Sequence, residues 1–247
     1  MRKYIIVGGS GFLGRTLARH WADQDIELVI LSRKTNISVP GARVIQWDGK
    51  TLGDWADELN GSSAVINLAG RSVNCRYTPA NREQMIDSRV QSTTLVGEAI
   101  RRCETPPPVW INSSTATIYK HRFDTPNDET TGLIGASSEA KDAFSIEIAK
   151  AWETAFHDAL NQCDEKAPRG VIVRTAMVFG NEPGGVYEML ARLVRYGLGG
   201  KMGNGRQWVS WLHADDFCRS IDWLLETDPG RSGIYNLCAP EPLTTRT

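Results

Sequence analysis

The sequence predicts an α/β fold, a doubly wound parallel sheet with helices on both faces and a small C-terminal lobe on the substrate side. Three observations predict it. Short β-branched runs alternate with longer segments of helical period. The runs are almost wholly apolar rather than alternating, as strands covered on both faces require. A glycine cluster closes the first run and opens the first helical segment.

The strand candidates are residues 3–7, 27–31, 42–46, 64–68, 109–112, 170–174 and 233–236. Helical segments fall at 12–23, 82–102, 140–160 and 214–225. In the third of these, Phe144, Ile148, Trp152 and Phe156 recur every four residues, an apolar stripe that should lie on the sheet. Two stretches break the alternation. Residues 119–135 are polar and turn-rich, the pattern of a loop over a site. Residues 180–208 surround a short helix (186–196) with glycines, the pattern of a small lobe. The division expected is a nucleotide-binding domain over 1–180, completed by about 212–236. Residues 181–211 and 237–247 form parts of the lobe. The end of the chain offers no closing element, as in a truncated lobe.

Composition excludes several classes. The chain has 247 residues, 41% hydrophobic and 23% charged, enough for one large domain or two small ones and too apolar for a disordered protein. Lys+Arg number 28 against Asp+Glu 29, so there is no basic excess to meet a polyphosphate backbone, and no nucleic-acid partner is expected. The apolar runs are too short for a membrane span. Arg2-Lys3 before Tyr4–Val7 imitates an export signal, but the run ends in glycines. Cys75, Cys103, Cys163, Cys218 and Cys238 are scattered without a C-x-x-C pair, which reads as reduced thiols in a cytoplasmic protein. The remaining expectation is a small-molecule substrate and a monomer or homodimer.

Gly8, Gly11 and Gly14 form a G-x-x-G-x-x-G pattern that encloses Ser10, Phe12 and Leu13. One glycine permits the turn, one lets backbone approach a pyrophosphate, and one lets helix pack on strand. The helix N-terminus then offers free N–H groups and a positive dipole end to phosphates. No Lys-Ser or Lys-Thr follows, so a nucleoside-triphosphate loop is excluded. At the end of the second strand, an NAD site carries an acid for the ribose 2′-hydroxyl. This chain has Ser32-Arg33-Lys34 there. A hydroxyl and a guanidinium suit a 2′-phosphate, so NADP(H) is the expected cofactor; the competing reading is a solvated basic loop. Asn67-Leu68-Ala69-Gly70 ends the fourth strand with small residues that also let a ligand approach.

Together these residues resemble the short-chain dehydrogenase/reductase superfamily in its extended and atypical, epimerase-like branch. Longer stretches extend the likeness over essentially the whole chain: Met85–Val90 (M-I-D-S-R-V), Ser113–Tyr119, Ala151-Trp152-Glu153 and Ser210–Asp216 (S-W-L-H-A-D-D). They are similar to proteins labelled nucleoside-diphosphate-sugar epimerase, of the NAD-dependent epimerase/dehydratase family, which carry a C-terminal domain of unknown function. The resemblance implies a Rossmann domain, a C-terminal substrate lobe, NADP(H), and a further segment after Ala239–Pro242.

The superfamily's acid–base pair is Tyr-x-x-x-Lys, in which the lysine helps the phenol titrate near neutral pH. No tyrosine in this chain has lysine four residues later. The alignment through Trp152-Glu153 puts Ser145 at the tyrosine position and Ala149 at the lysine position. Lys150 is one residue off, about 100° round the helix. Close relatives commonly lack the pair as well. Thr115 occupies the family's hydroxyl position, and Tyr119 is the nearby phenol, readable as catalytic or as a loop anchor. Arg89 stands where extended members tend to have asparagine, either to hold an anionic substrate or to pair with a carboxylate. His213, Asp215 and Asp216 look like a hydrolytic set, but no G-x-S-x-G elbow accompanies them. A docking role is preferred, with Trp208, Trp211 and Trp223 filling the junction. Residues 199–206 form a basic glycine loop that either closes on a phosphate-bearing substrate or is only a turn. Two functions follow: an NADP(H)-dependent oxidoreductase or epimerase with non-standard acid–base groups, or a non-catalytic NADP(H)-binding redox-sensing or regulatory protein.

Overall fold

Arg2–Val7 (β1) shows why the strands are not alternating. Tyr4 and Ile6 are buried on one face of the sheet, and Ile5 and Val7 on the other. In the computed structural model, residues 1–34, 36–137, 140, 142–200, 203–226 and 228–244 are described. After β1 come α1 (Phe12–His20), β2 (Ile26–Ser32), β3 (Ala42–Gln46), β4 (Ala64–Asn67), α2 (Pro79–Arg102) and β5 (Val109–Thr115). The chain continues through α3 (Ala143–Asn161), β6 (Arg169–Thr175), β7 (Met177–Phe179), α4 (Val186–Arg195) and β8 (Trp208–Val209). It closes with β9 (Trp211–His213), α5 (Ala214–Leu225), β10 (Gly233–Leu237) and β11 (Leu243–Thr244).

Seven strands form the main sheet in the order β10-β6-β5-β4-β1-β2-β3, every pair parallel. The expected doubly wound sheet is present, and α1 and α5 cover one face through Leu17, Trp21, Phe217 and Ile221. The other face is covered by α2 and α3 through Val96, Ile100 and Phe156, with Trp110 of β5 against Phe156 at 4.6 Å. The stripe Phe144, Ile148, Trp152 and Phe156 is buried, but only Phe156 joins the core on the sheet; Phe144 and Ile148 pack on Met85 of α2, and Trp152 bonds Thr93 of the same helix. The two helices approach closely at Gly97, where a Cβ would come within 2.6 Å of Ala159.

Outside the main sheet, β7 pairs with β9 and β8 with β11. The two-residue β11 was not expected; it returns the chain to Trp208–Val209, while residues 245–247 lie outside the described residues. The strands at 109–115 and 169–175 run longer than expected, because Ser113, Ser114 and Thr115 continue the β6 ladder although they are polar. In the loop after β5, Tyr119 bridges Ile134, and the Asn236 N–H donates to Glu129 Oε1 at 2.6 Å, so β10 pins the loop. Trp208 and Trp223 do not fill a junction: they are 47% and 45% exposed. His213 caps α5, its Nδ1 accepting the Asp215 N–H at the start of the helix.

Candidate functional site

The sheet order reverses at β1, which pairs with β2 on one side and β4 on the other. A crevice opens beyond the carboxyl ends of the strands at such a switch point. The glycine turn fills its floor. Gly8 has φ +72°, and a Cβ on it would meet the Ala69 Cα at 2.7 Å. The Gly8 N–H donates to Leu31 O at 2.9 Å, and the Leu68 N–H to Val7 O at 2.9 Å. The turn is thereby stitched to the ends of both neighbours. A Cβ on Gly14 would overlap the carbonyl carbon of Gly9 at 2.5 Å, so the third glycine is required by helix-on-turn packing.

Gly11 differs. A Cβ there would meet only Gly8 O, at 3.9 Å. Its backbone is extended, with φ −82° and ψ −176°, which any residue adopts. Nothing in the chain itself demands a glycine at Gly11. It is the N-cap of α1, and it gives the first turn no side-chain cap; no acid stands in that turn. Uncapped N–H groups at the positive dipole end, with space at the preceding α-carbon, fit a dinucleotide pyrophosphate. Phe12 packs back on the lobe side: a Cβ on Gly185 would sit 2.8 Å from its ring, and one on Gly180 at 3.2 Å. Leu13 is half-buried against the α1/α5 core.

At the β2 end, Ser32 Oγ donates to Ser10 Oγ at 3.1 Å and accepts the Lys34 N–H at 3.1 Å. Arg33 and Lys34 are exposed beside it. Arg15, which the motif reading passed over, donates from Nε to Ser10 O at 3.1 Å and from Nη1 to Ser38 O at 3.3 Å. Its signal was a cation one residue after the last glycine. On the next strand's end, Asp48 is occupied by its own turn: it accepts from the Lys50 and Thr51 N–H groups and from Thr51 Oγ1. The Thr51 hydroxyl and those N–H groups lower its pKa to about 2.

At the β4 end, buried Asn67 donates to Asn112 Oδ1 at 2.8 Å and Thr93 Oγ1 at 3.0 Å, and accepts the Ala69 N–H at 3.1 Å. Trp152 Nε1 adds a bond to Thr93 Oγ1 at 3.1 Å. Asn67 therefore shapes the turn carrying Leu68, Ala69 and Gly70. Arg89 of α2 lies directly against Gly70, where a Cβ would come within 3.0 Å of Cζ.

Thr115 ends β5, three residues past the register partner of Asn67, or about 10 Å further along the strand direction. Its hydroxyl is 3.0 Å from Thr117 Oγ1 and accepts the Thr117 N–H at 3.3 Å. Tyr119 has a different environment. Its ring is buried, its hydroxyl donates to Asn236 Oδ1 at 2.9 Å, and it accepts from Arg174 Nη1 at 2.8 Å. Of the two readings for Tyr119, this geometry is that of a loop anchor. Arg174 in turn makes a bidentate pair with Glu153 at 2.9 and 2.8 Å, and Ser114 Oγ donates to Glu153 at 2.6 Å. This buried network escaped the sequence reading. Its trace is one arginine in an apolar strand (V-I-V-R-T) and one glutamate beside a buried tryptophan.

On α3, Ser145 is half-buried, Ala149 is fully buried against Ile118 and Tyr119, and Lys150 is exposed. The lysine position is thus filled by a methyl group, and Lys150 points away as its helical offset requires. Of the basic loop at 199–206, Lys201 and Met202 lie outside the described residues. Among the described residues no acidic, histidine or cysteine cluster is arranged to hold a metal, and no helix is long and apolar enough to cross a membrane. A groove of about 670 Å³ lined by Trp211, Trp223 and Tyr235 lies along the β10 edge; Asn236 also lines it, but none of the glycine-turn, Ser32–Arg33, Asn67–Gly70, Arg89, Thr115 or Tyr119 residues does.

The sheet order and the glycine crossing define a Rossmann-type α/β protein. The comparisons give the family: the model of the NAD dependent epimerase/dehydratase family matches residues 4–238. The chain belongs to that family. It is 32% identical over 243 residues to an epimerase family protein of Staphylococcus epidermidis, covering 98% of this chain and 76% of that protein. It superposes on the crystal structure of human epimerase family protein SDR39U1 (isoform 2) with NADPH at a TM-score of 0.80 and 26% identity, covering 98% of this chain and 76% of the human one. A nucleoside-diphosphate sugar epimerase from Corynebacterium glutamicum gives 0.75 and 27%, covering 99% of this chain and 48% of the other. MoeE5 in complex with UDP-glucuronic acid and NAD, at 0.78 and 19%, shares the fold.

Proposed function

We propose that this chain is an NADP(H)-binding, epimerase-like oxidoreductase acting on a small carbonyl compound or nucleotide-sugar in the cytoplasm, without the Tyr-x-x-x-Lys pair. The observation that carries the cofactor choice is the end of β2, where hydroxyls and cations stand and no acid does. A 2′-phosphate would be accepted by Ser10, Ser32 and the guanidinium of Arg33, with Arg15 holding the Ser10 carbonyl in place. The NADPH complex of the human relative supports the same choice. When bound, the dinucleotide supplies a nicotinamide that gives or takes hydride. Uncapped N–H groups at the start of α1 would hold its pyrophosphate, and the turn at Leu68–Gly70, shaped by Asn67, would let the nucleotide lie close on the backbone.

For the chemistry, Thr115 is the hydroxyl at the strand end that can donate to a substrate carbonyl. It cannot deliver a proton at neutral pH by itself. The Tyr119 phenol is held by Arg174 and Asn236, so its contribution is to fix the loop that follows Thr115. One observation favours a second reading, a cofactor-binding protein with sensing or regulatory work and no turnover: Ala149 and Ser145 leave α3 without a phenol–lysine pair.

NADPH is expected to bind more tightly than NADH, and Arg33→Ala to narrow the gap. A charge-assisted hydrogen bond contributes about 1.5–3 kcal/mol, or about tenfold to a hundredfold in affinity. Fluorescence titration of both nucleotides measures it, and equal affinities in the wild type would remove the assignment. Turnover of common nucleotide-sugars is expected to be slow or nil, since acid–base catalysis supplies roughly 10²–10⁴ in rate. Residual NADPH oxidation against a carbonyl panel should fall about tenfold in Thr115→Val, the worth of one hydrogen bond. Ser145→Ala should leave it unchanged. Activity lost only in Ser145→Ala would place the catalytic group on α3 instead.

A further inference from the structure

Arg89 is a largely buried cation that forms no ion pair with a carboxylate among the described residues. Its guanidinium stacks over the Trp152 ring at 5.0 Å, and Nη1 donates to Met85 O at 2.8 Å. Burial lowers its pKa to about 10, which still leaves it charged at neutral pH. The ionisable group acting on it is the Tyr77 phenol, from the loop before α2. Glu83 and Asp87 share the helix, yet among the described residues neither forms an ion pair with it. Several other arginines do pair with a carboxylate: Arg43 with Glu58, Arg101 with Glu98, Arg174 with Glu153. The pairing alternative for Arg89 is not adopted with any carboxylate among the described residues.

Desolvating a charge costs free energy that a partner must offset. A cation–π stack and one carbonyl offset part of it and occupy one of five N–H donors. The remaining donors lie in a planar fork suited to two oxygens of one anion. The fork abuts Gly70, at the end of β4, so it borders the crevice. Two further arginines stand on the turn after Gly70 and on α2. Arg71 bonds Asn81 Oδ1 at 2.8 Å and Arg82 stacks over Phe144 at 4.7 Å, neither with a carboxylate partner among the described residues.

We infer that Arg89 anchors a carboxylate or phosphate group of the small carbonyl substrate, so that the site takes anionic substrates; this rests on the function proposed above. The guanidinium lies over the Trp152 ring, and Gly70 leaves it room past the end of β4. A lysine would keep the charge without the fork or the stack.

The test uses probe pairs that differ in charge: pyruvate against methyl pyruvate, and glyceraldehyde 3-phosphate against glyceraldehyde. Binding is measured by calorimetry on the full chain, with and without saturating NADPH, for wild type, Arg89→Leu and Arg89→Lys. The charged member of at least one pair should bind about tenfold to a hundredfold more tightly in the wild type. Arg89→Leu should abolish that preference, and Arg89→Lys should keep part of it. Equal binding of charged and neutral probes by the wild type overturns the inference, as does a preference that survives in Arg89→Leu. NADPH affinity is measured in the same variants. If Arg89→Leu weakens NADPH and leaves the probe preference intact, the fork serves the cofactor's phosphates and the inference falls. A wild type that binds no NADPH but keeps an Arg89-dependent anion preference removes the cofactor reading and leaves the anion site standing. Should Arg89→Leu fail to fold, Gly70→Ala replaces it: its methyl displaces the guanidinium, and an unchanged preference there counts against the site.

Discussion

Glu153→Ala is expected to destabilise the protein by about 3–5 kcal/mol, the usual cost of removing one partner from a buried ion pair. Arg174 is 2% exposed and Glu153 7%, so a truncated glutamate leaves a guanidinium with no route to water. Glu153 also accepts from Ser114, and Arg174 also donates to Tyr119, so the loss passes to the end of β5 and the loop after it. Glu153→Gln keeps the shape and one acceptor, and should cost less. Urea melts of the three proteins measure the difference. A Glu153→Ala variant within 1 kcal/mol of wild type would mean that Arg174 is solvated in a way the structure does not show. Tyr119→Phe probes the same network from its edge. It leaves Asn236 and Arg174 short of one bond each, and about 1–3 kcal/mol is expected.

The second large effect separates the glycines. Gly14→Ala should cost about 3 kcal/mol or more, beyond ordinary overpacking, because the methyl meets the Gly9 backbone and not a movable side chain. Gly11→Ala should leave stability within about 1 kcal/mol, since alanine is merely a poorer helix N-cap. Its methyl nevertheless occupies the space at the start of α1, and NADPH affinity should fall about a hundredfold, equivalent to ~2.7 kcal/mol. Thermal melts and fluorescence titration of the two variants give the comparison. A Gly11→Ala protein that binds NADPH as the wild type does would show that the pyrophosphate does not approach at that α-carbon.

Most of the fold was legible because its causes are local. Apolar runs without alternation mark strands buried on both faces, and Tyr4, Ile5, Ile6 and Val7 point alternately into two cores for that reason. The four-residue stripe of α3 and the glycine pattern are equally short-range signals. The short β7, β8, β9 and β11 were not legible, because strands of two or three residues carry no period to read. The extra length of β5 was missed since Ser113-Ser114-Thr115 looks like a turn; it is strand because β6 supplies its ladder.

The candidate site divides the same way. The sequence by itself determined the glycine crossing, the absence of an acid after β2, and the absence of a phenol–lysine pair on α3, all statements about which residue types occupy neighbouring positions. Tertiary structure decided which of those residues face one another. It placed the Tyr119 hydroxyl against Arg174 and Asn236, 55 and 117 positions away, contacts that tie the loop after β5 to β6 and β10. It also laid Arg89 on Trp152 against Gly70, with no ion-pair partner among the described residues. Whether a polar side chain is held or left available depends on partners brought together by sheet order and helix packing. A charge's environment is set by its neighbours in space, and only the folded chain specifies those.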